Sequence, residues 1–263
     1  MKLGTTLLQL YKRATFSYCC NNRSFLHPHI ILRNYYGSRG GYNRVVVTRL
    51  ESFVMDECKS GRIKKLDDAL KYFNQLISER PLPSNVTFCH VLGSLTKIKC
   101  YSDVIMLYKK MILVGVNPNI YTFNILINCF CRLGQLNHGF CLLGEMLKRG
   151  YHPDSVTINT LIKGLCLLEK IDFAFNVFDR MTKTGIRPTA ITCNTLISGL
   201  CRTGEVGSAL RLKNNMVKWN CIPTVVSYCA IIDTLCKGGR KQFLFCHKFI
   251  TLIYFHTYLN WCL

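Results

Sequence analysis

Apolar and polar positions recur along this chain with a period of 35 residues. One phrase states the pattern three times: NILINCFCRLG over 124–134, NTLIKGLCLLE over 159–169 and NTLISGLCRTG over 194–204. With residues 120–154 taken as one unit of 35 positions, the neighbouring units are 85–119, 155–189 and 190–224, and a fifth opens at Val225. Position 34 is proline in every complete unit (Pro118, Pro153, Pro188, Pro223), and Pro83 extends the series one step back. Position 27 is methionine (Met111, Met146, Met181, Met216). Position 31 is Gly115, Gly150 and Gly185, with Asn220 in the last complete unit. Three landmarks keep one phase, which marks a solenoid of repeated units.

Within a unit, positions 4, 7, 8, 11 and 12 are mostly apolar, as in Cys193, Leu196, Ile197, Leu200 and Cys201. That spacing predicts a helix with one buried stripe. A second stripe at positions 17, 20, 21 and 24, such as Ile171, Ala174, Phe175 and Phe178, predicts a second helix. A short break, often with glycine (Gly134, Gly204, Gly239), separates the two. Gly or Asn with proline three residues later is a stop signal for the second helix. Each unit is therefore a helical hairpin. One hairpin cannot bury both stripes, so hairpins stack on one another and the fold is all-α. Residues 50–84 read as a degenerate first repeat: LDDALKYFNQL at 66–76 and Pro83 are in phase, but the first helix matches poorly. Residues 225–240 read as a partial repeat. Beyond Arg240 the phase is lost, with Thr251 in the methionine slot and Tyr258 in the proline slot, and 241–263 is a divergent aromatic-basic tail. His247, Lys248 and His256 interrupt that tail too often for a membrane span.

Cysteine is abundant, 16 in 263 residues, yet Cys131, Cys166, Cys201 and Cys236 share position 12. A cysteine at a fixed place in a packed stripe is a small buried hydrophobe. Cys129-x-Cys131 and the adjacent Cys19 and Cys20 lack zinc-site spacing and no CxxC occurs, so neither metal nor cofactor is expected and free thiols in a reducing compartment fit best. The net charge of +20 points to a polyanionic partner. Eight basic residues lie in the first fifty, where no acid occurs, so 1–45 has the composition of an organelle transit peptide, with RNYYGS (33–38) as a cleavage region, or alternatively of a disordered basic leader. Without those eight charges the balance is 26 basic minus 14 acidic, or +12.

Asn124, Asn159 and Asn194 occupy position 5, one residue past the start of the buried stripe. Two readings stand side by side. The amide forms a helix-start or interhelical hydrogen bond repeated with the unit, or a row of amides lines the free face and reads bases one at a time.

The 35-residue period, NTLISGLC, the methionine of the second helix and the closing Gly-Ile-Arg-Pro resemble plant pentatricopeptide repeats of the pure 35-residue class. IYTFNILINCFCRLG (120–134) and RPLPS (80–84) are similar to the restorer-of-fertility-like group, and the likeness covers about residues 66–240. The resemblance implies a right-handed α-solenoid binding single-stranded RNA in the mitochondrion, or alternatively the plastid, one base per repeat. In that family positions 5 and 35 hydrogen-bond the base edge and position 2 supplies apolar walls. Carried onto this chain, the units offer Val86, Cys89 and Asn119; Tyr121, Asn124 and Asp154; Val156, Asn159 and Thr189; Ile191, Asn194 and Thr224; and an unfinished Val226 and Cys229. Asn with Asp resembles the uracil-preferring pair, Asn with Thr is pyrimidine-leaning, and Cys89 matches no base. No GxSxG, HExxH, P-loop or zinc-deaminase signature occurs, and His138, His152 and His247 sit in no repeated slot, so the chain is not expected to be an enzyme. It is expected to act by occupancy, or by recruiting a protein partner that supplies nuclease or other activity. A peptide-binding helical scaffold and a truncated remnant with little function are the alternatives.

Overall fold

The computed structural model describes residues 47–237. The leader, Cys19, Cys20, Gly239, His247 and the 241–263 tail lie outside the described residues. Among those described, the chain forms eleven α-helices and no strand. They pair as α1 (Arg49–Lys59) with α2 (Leu66–Ser78), α3 (Asn85–Lys97) with α4 (Tyr101–Leu113), α5 (Ile120–Arg132) with α6 (Leu136–Lys148), α7 (Ser155–Leu167) with α8 (Ile171–Lys183), and α9 (Ala190–Arg202) with α10 (Val206–Asn215). A short 3-10 turn, Met216–Trp219, extends α10, and α11 (Val225–Lys237) opens the next unit.

The repeat sets each boundary by local chemistry. Position 35 is the N-cap: the side chains of Ser84, Asn119, Asp154 and Thr189 accept the backbone N–H of Thr87, Thr122, Thr157 and Thr192, three residues on. The first helix ends at position 15 in a left-handed residue. Gly134 and Gly204 adopt it at φ 74° and 81°, and the same turn forces Lys99 and Glu169 to φ 65° and 56°. The second helix ends the same way at position 31, where Asn220 replaces glycine at φ 57°.

First helices contact the next first helix in series, from α1 through α11, and each second helix packs on its own partner and also touches the following first helix. The stack is an α-solenoid. Its core is the predicted first stripe: Phe123, Leu126, Ile127 and Phe130 in α5, then Ile158, Leu161, Ile162 and Leu165 in α7, are all buried. The position-27 methionines are almost completely buried beneath it. The second stripe differs in one place. Position 21 lies at the edge of the buried face, so Phe175 is only half-buried, while position 23 (Leu107, Leu142, Val177, Leu212) carries the packing. Positions 20, 23, 24 and 27 share a narrower helix face than the spacing first suggests.

Helices α5, α7 and α9 approach closely where glycine occupies position 10. A Cβ built on Gly164 would stand 2.4 Å from Cys131 Sγ and 2.6 Å from its Cβ; one on Gly199 would stand 2.7 Å from Cys166 Sγ. Cys131 and Cys166 therefore each seat over the glycine of the following repeat, whereas Cys201 meets Thr234 at that position. Cys236 is the exception to the predicted buried series: it is exposed.

Burial pushes the thiols of Cys129, Cys131 and Cys193 up to about 12 and Cys166 to about 11. Thiols of an unfolded chain titrate near ~8.5. Above that pH the unfolded chain gives up protons that the folded chain keeps, so stability falls as pH rises from about 9 toward 11. Urea unfolding measured from pH 8 to 10.5 is expected to show this decline, with a shallower slope in Cys193→Ala than in the wild type.

Candidate functional site

An open groove of about 800 Å³ runs along the first-helix face of α7 and α9, reaching Asn128 of α5 and Val226 of α11. Three of its apolar side chains are strongly exposed: Val156, Ile191 and Val226 at 55%, 68% and 58%. Tyr121 (68%) and Val86 (49%) continue the column toward the N-terminus. An apolar side chain at every position 2, one step from a buried stripe yet open to solvent, is not explained by packing. Beside this column stand Asn159 and Asn194, with Lys163 as a cation on the same face.

The predicted position-5 residues are half-buried at Cys89, Asn124, Asn159 and Asn194, and exposed at Cys229. The hydrogen-bond reading of the repeated asparagine is present as an interhelical bond. Thr157 Oγ1 donates to Asn124 Oδ1 at 2.7 Å, and Thr192 Oγ1 to Asn159 Oδ1 at 2.7 Å. Ser227 Oγ donates to Asn194 Oδ1 in the same way. The amide carbonyls thus join consecutive repeats, leaving the NH₂ ends of Asn124 and Asn159 with no described partner; Asn194 Nδ2 donates to Thr224 Oγ1 at 2.9 Å. Asn119, Asp154 and Thr189 each use one oxygen as the helix cap. Cys89 lies within 3.1 Å of Asn85 Oδ1 and 3.6 Å of Asn119 Oδ1, and burial raises its thiol. Its weak S–H is spent on these neighbours.

Two features escaped sequence reasoning. One is the hydroxyl at position 3 in every unit (Thr87, Thr122, Thr157, Thr192, Ser227), visible in the sequence but overshadowed by the stripe. The other is Glu51. Helix α1 is displaced three residues toward the N-terminus relative to the 35-residue frame, and 60–65 connects it to α2 where 133–135 suffices between α5 and α6. The displacement puts Glu51, not Val54, in the slot that Asn124 fills two units later. Glu51 is 2% exposed and accepts from Ser84 N at 2.9 Å, Ser84 Oγ at 2.6 Å and Thr87 Oγ1 at 2.5 Å. Burial would raise its carboxyl, but these hydrogen bonds hold it below the usual range. The poor match of the first helix is thus a short insertion in an otherwise complete hairpin.

A PPR repeat family model matches residues 83–132, 120–167, 156–202 and 188–237, together more than half of the chain. The chain belongs to the PPR repeat family. Two mitochondrial pentatricopeptide repeat-containing proteins of Arabidopsis thaliana are 41% and 39% identical to it over 59 and 56 residues, which are 22% and 21% of this chain and 12% and 10% of theirs. The chain thus matches only about a tenth of the length of these curated relatives. The PPR fold also matches the crystal structure of the pentatricopeptide repeat protein PPR10 in complex with an 18-nt psaJ RNA element: TM-score 0.67, 22% identity, 76% of this chain and 29% of that one. The crystal structure of the pentatricopeptide repeat protein PPR10 from maize gives a TM-score of 0.60 at 23% identity, over 78% of this chain and 29% of that one. At these identities the likeness carries the PPR solenoid fold.

Proposed function

We propose that this chain binds single-stranded RNA in the mitochondrion, one base per repeat, and alters transcript processing, stability or translation by occupying the RNA or recruiting a protein partner. It acts as a scaffold, with no bond-breaking chemistry of its own. One observation carries this reading: on α7 and α9 an exposed apolar side chain at position 2 (Val156, Ile191) and an asparagine at position 5 (Asn159, Asn194) line one open groove, and Tyr121 with Asn124 repeats the pairing on α5. A flat base fits between consecutive apolar walls, and the amide reaches its edge. The relatives' mitochondrial names, the PPR10–RNA complex and the basic surplus of the chain support the same assignment.

The readable slots are Asn124 with Asp154 for a uracil, then Asn159 with Thr189 and Asn194 with Thr224 for two pyrimidines. Cys89 with Asn119 is engaged internally and specifies no base. Cys229, in the unfinished unit, faces solvent at the groove's end. The test is binding of the full chain to pyrimidine and purine single-stranded oligomers across a salt series. The wild type is expected to prefer the pyrimidine oligomer, and Asn159→Ala to lower that preference about five- to tenfold, the worth of one base-edge hydrogen bond. Equal binding to both oligomers, lost at moderate salt and untouched by the substitution, would leave only phosphate attraction.

A further inference from the structure

The hydroxyls at position 3 are fully buried in all five units: Thr87, Thr122, Thr157, Thr192 and Ser227 are each 0% exposed. A buried hydroxyl needs partners. Each one finds them on both sides of a repeat junction, at the cap residue of its own helix and at the position-5 slot of the repeat before. Thr192 is the clearest case. Its Oγ1 accepts the Thr189 N–H at 3.0 Å and lies 3.1 Å from the Thr189 hydroxyl, which carries a hydrogen of its own. The single hydrogen of Thr192 is therefore free to go to Asn159 Oδ1 at 2.7 Å.

The consequence reaches the groove. The two ends of an asparagine amide have the same shape and opposite hydrogen-bonding character. An asparagine free to turn by 180° offers a base either a donor or an acceptor, and so selects nothing. We propose that the position-3 hydroxyl is a specificity-determining positioning residue: by taking the amide oxygen of the preceding repeat's Asn159 or Asn194, it commits the NH₂ end to the groove as a donor. In the fourth unit the other end is fixed as well, because Asn194 Nδ2 donates to Thr224 Oγ1 at 2.9 Å. In the second unit the hydrogen of Thr157 has two acceptors, Asn124 Oδ1 at 2.7 Å and Asp154 Oδ1 at 2.8 Å, so the hold is shared there. The role of the hydroxyl in specificity rests on the RNA reading above; its hold on the amide does not.

Thr192→Val keeps the shape and removes the donor; Thr192→Ser restores it; Thr157→Val repeats the test at a second junction should the first variant fold poorly. Side-chain amide NMR of the RNA-free full chain reads the order of the Asn159 NH₂ group, with exposed Asn176 as reference. Wild type and Thr192→Ser are expected to show an ordered Asn159 amide, and Thr192→Val one as mobile as Asn176. In the RNA assay Thr192→Val is expected to lose about fivefold of the pyrimidine preference while its salt-dependent affinity for the purine oligomer stays within twofold. An Asn159 amide as ordered in Thr192→Val as in wild type overturns the proposal. So does a mobile amide with undiminished preference. A wild type that binds no RNA, with its amide ordered, overturns the RNA reading itself and leaves the hydroxyl a structural latch between repeats.

Discussion

Gly164→Ala destabilises the solenoid by about 2–3 kcal/mol, within the cost of overpacking a close-packed interior. Alanine is the better helix former by about 1 kcal/mol, so propensity alone predicts a gain. Geometry decides against it. The new methyl would stand 2.4 Å from Cys131 Sγ and 2.6 Å from Cys131 Cβ, with Leu136 Cδ2 at 3.2 Å. The Cβ is attached to the backbone of α5 and cannot rotate away, so the helices themselves must separate. Shortening the opposing residue to alanine therefore leaves the clash in place. Cys131→Gly, combined with Gly164→Ala, is expected to recover part of the loss, because it removes the whole side chain the methyl would strike. Urea midpoints of the two single variants and the double variant check this: the double variant should be more stable than the sum of the singles by at least about 1 kcal/mol, the coupling expected of residues in contact. Strict additivity would show that the two helices are not held at this distance.

The second large effect is on affinity. Tyr121 and Ile191 are 68% exposed and contribute little to the core. Replacing both with serine should leave stability nearly unchanged, since surface substitutions typically stay within about 0.5 kcal/mol. If bases lie against these walls, at about 1–3 kcal/mol for each stacked base, the two walls together are worth about 2–6 kcal/mol and the double variant loses roughly 30- to 20,000-fold of RNA affinity. The loss should fall on pyrimidine and purine oligomers alike, because a stacking wall has no hydrogen-bonding edge. The contrast with Asn159→Ala matters: one substitution lowers affinity without changing preference, and the other lowers preference. Unchanged affinity in Tyr121→Ser with Ile191→Ser would place the RNA away from this column.

Much of this architecture is legible in the 35-residue period. The stripe through Phe123, Leu126, Ile127 and Phe130 announces a helix, and Pro118, Pro153 and Pro188 announce where the next begins. Burial follows from spacing because a helix has one fixed angular step. The position-2 walls and the position-5 amides were also visible, by resemblance to a known repeat and by their mismatch with the apolar stripe.

Other features needed three dimensions. The asparagine had two readings in sequence, and its carbonyl proved to be bonded across a junction to a residue 33 positions away. Spacing within one helix cannot show which neighbour a side chain meets. Position 35 was read only as a base contact, and its helix-cap role appeared once the helix start was seen. Glu51 lay hidden because an insertion in the first hairpin moved α1 out of the frame that all the other units keep. Thr192 carries no signal of its role in the sequence; its burial between Asn159 and Thr189 gives it one.

The chain by itself determined the period, the helical hairpins, the buried faces and the once-per-repeat rows of apolar and polar side chains, because each of these depends on local order along one helix or on exact repetition. Only the tertiary structure decided that cysteine sits over glycine, that a buried hydroxyl holds the amide and that Glu51 fills the first slot. These are contacts between separate helices, and their distances are set by how closely two backbones pack.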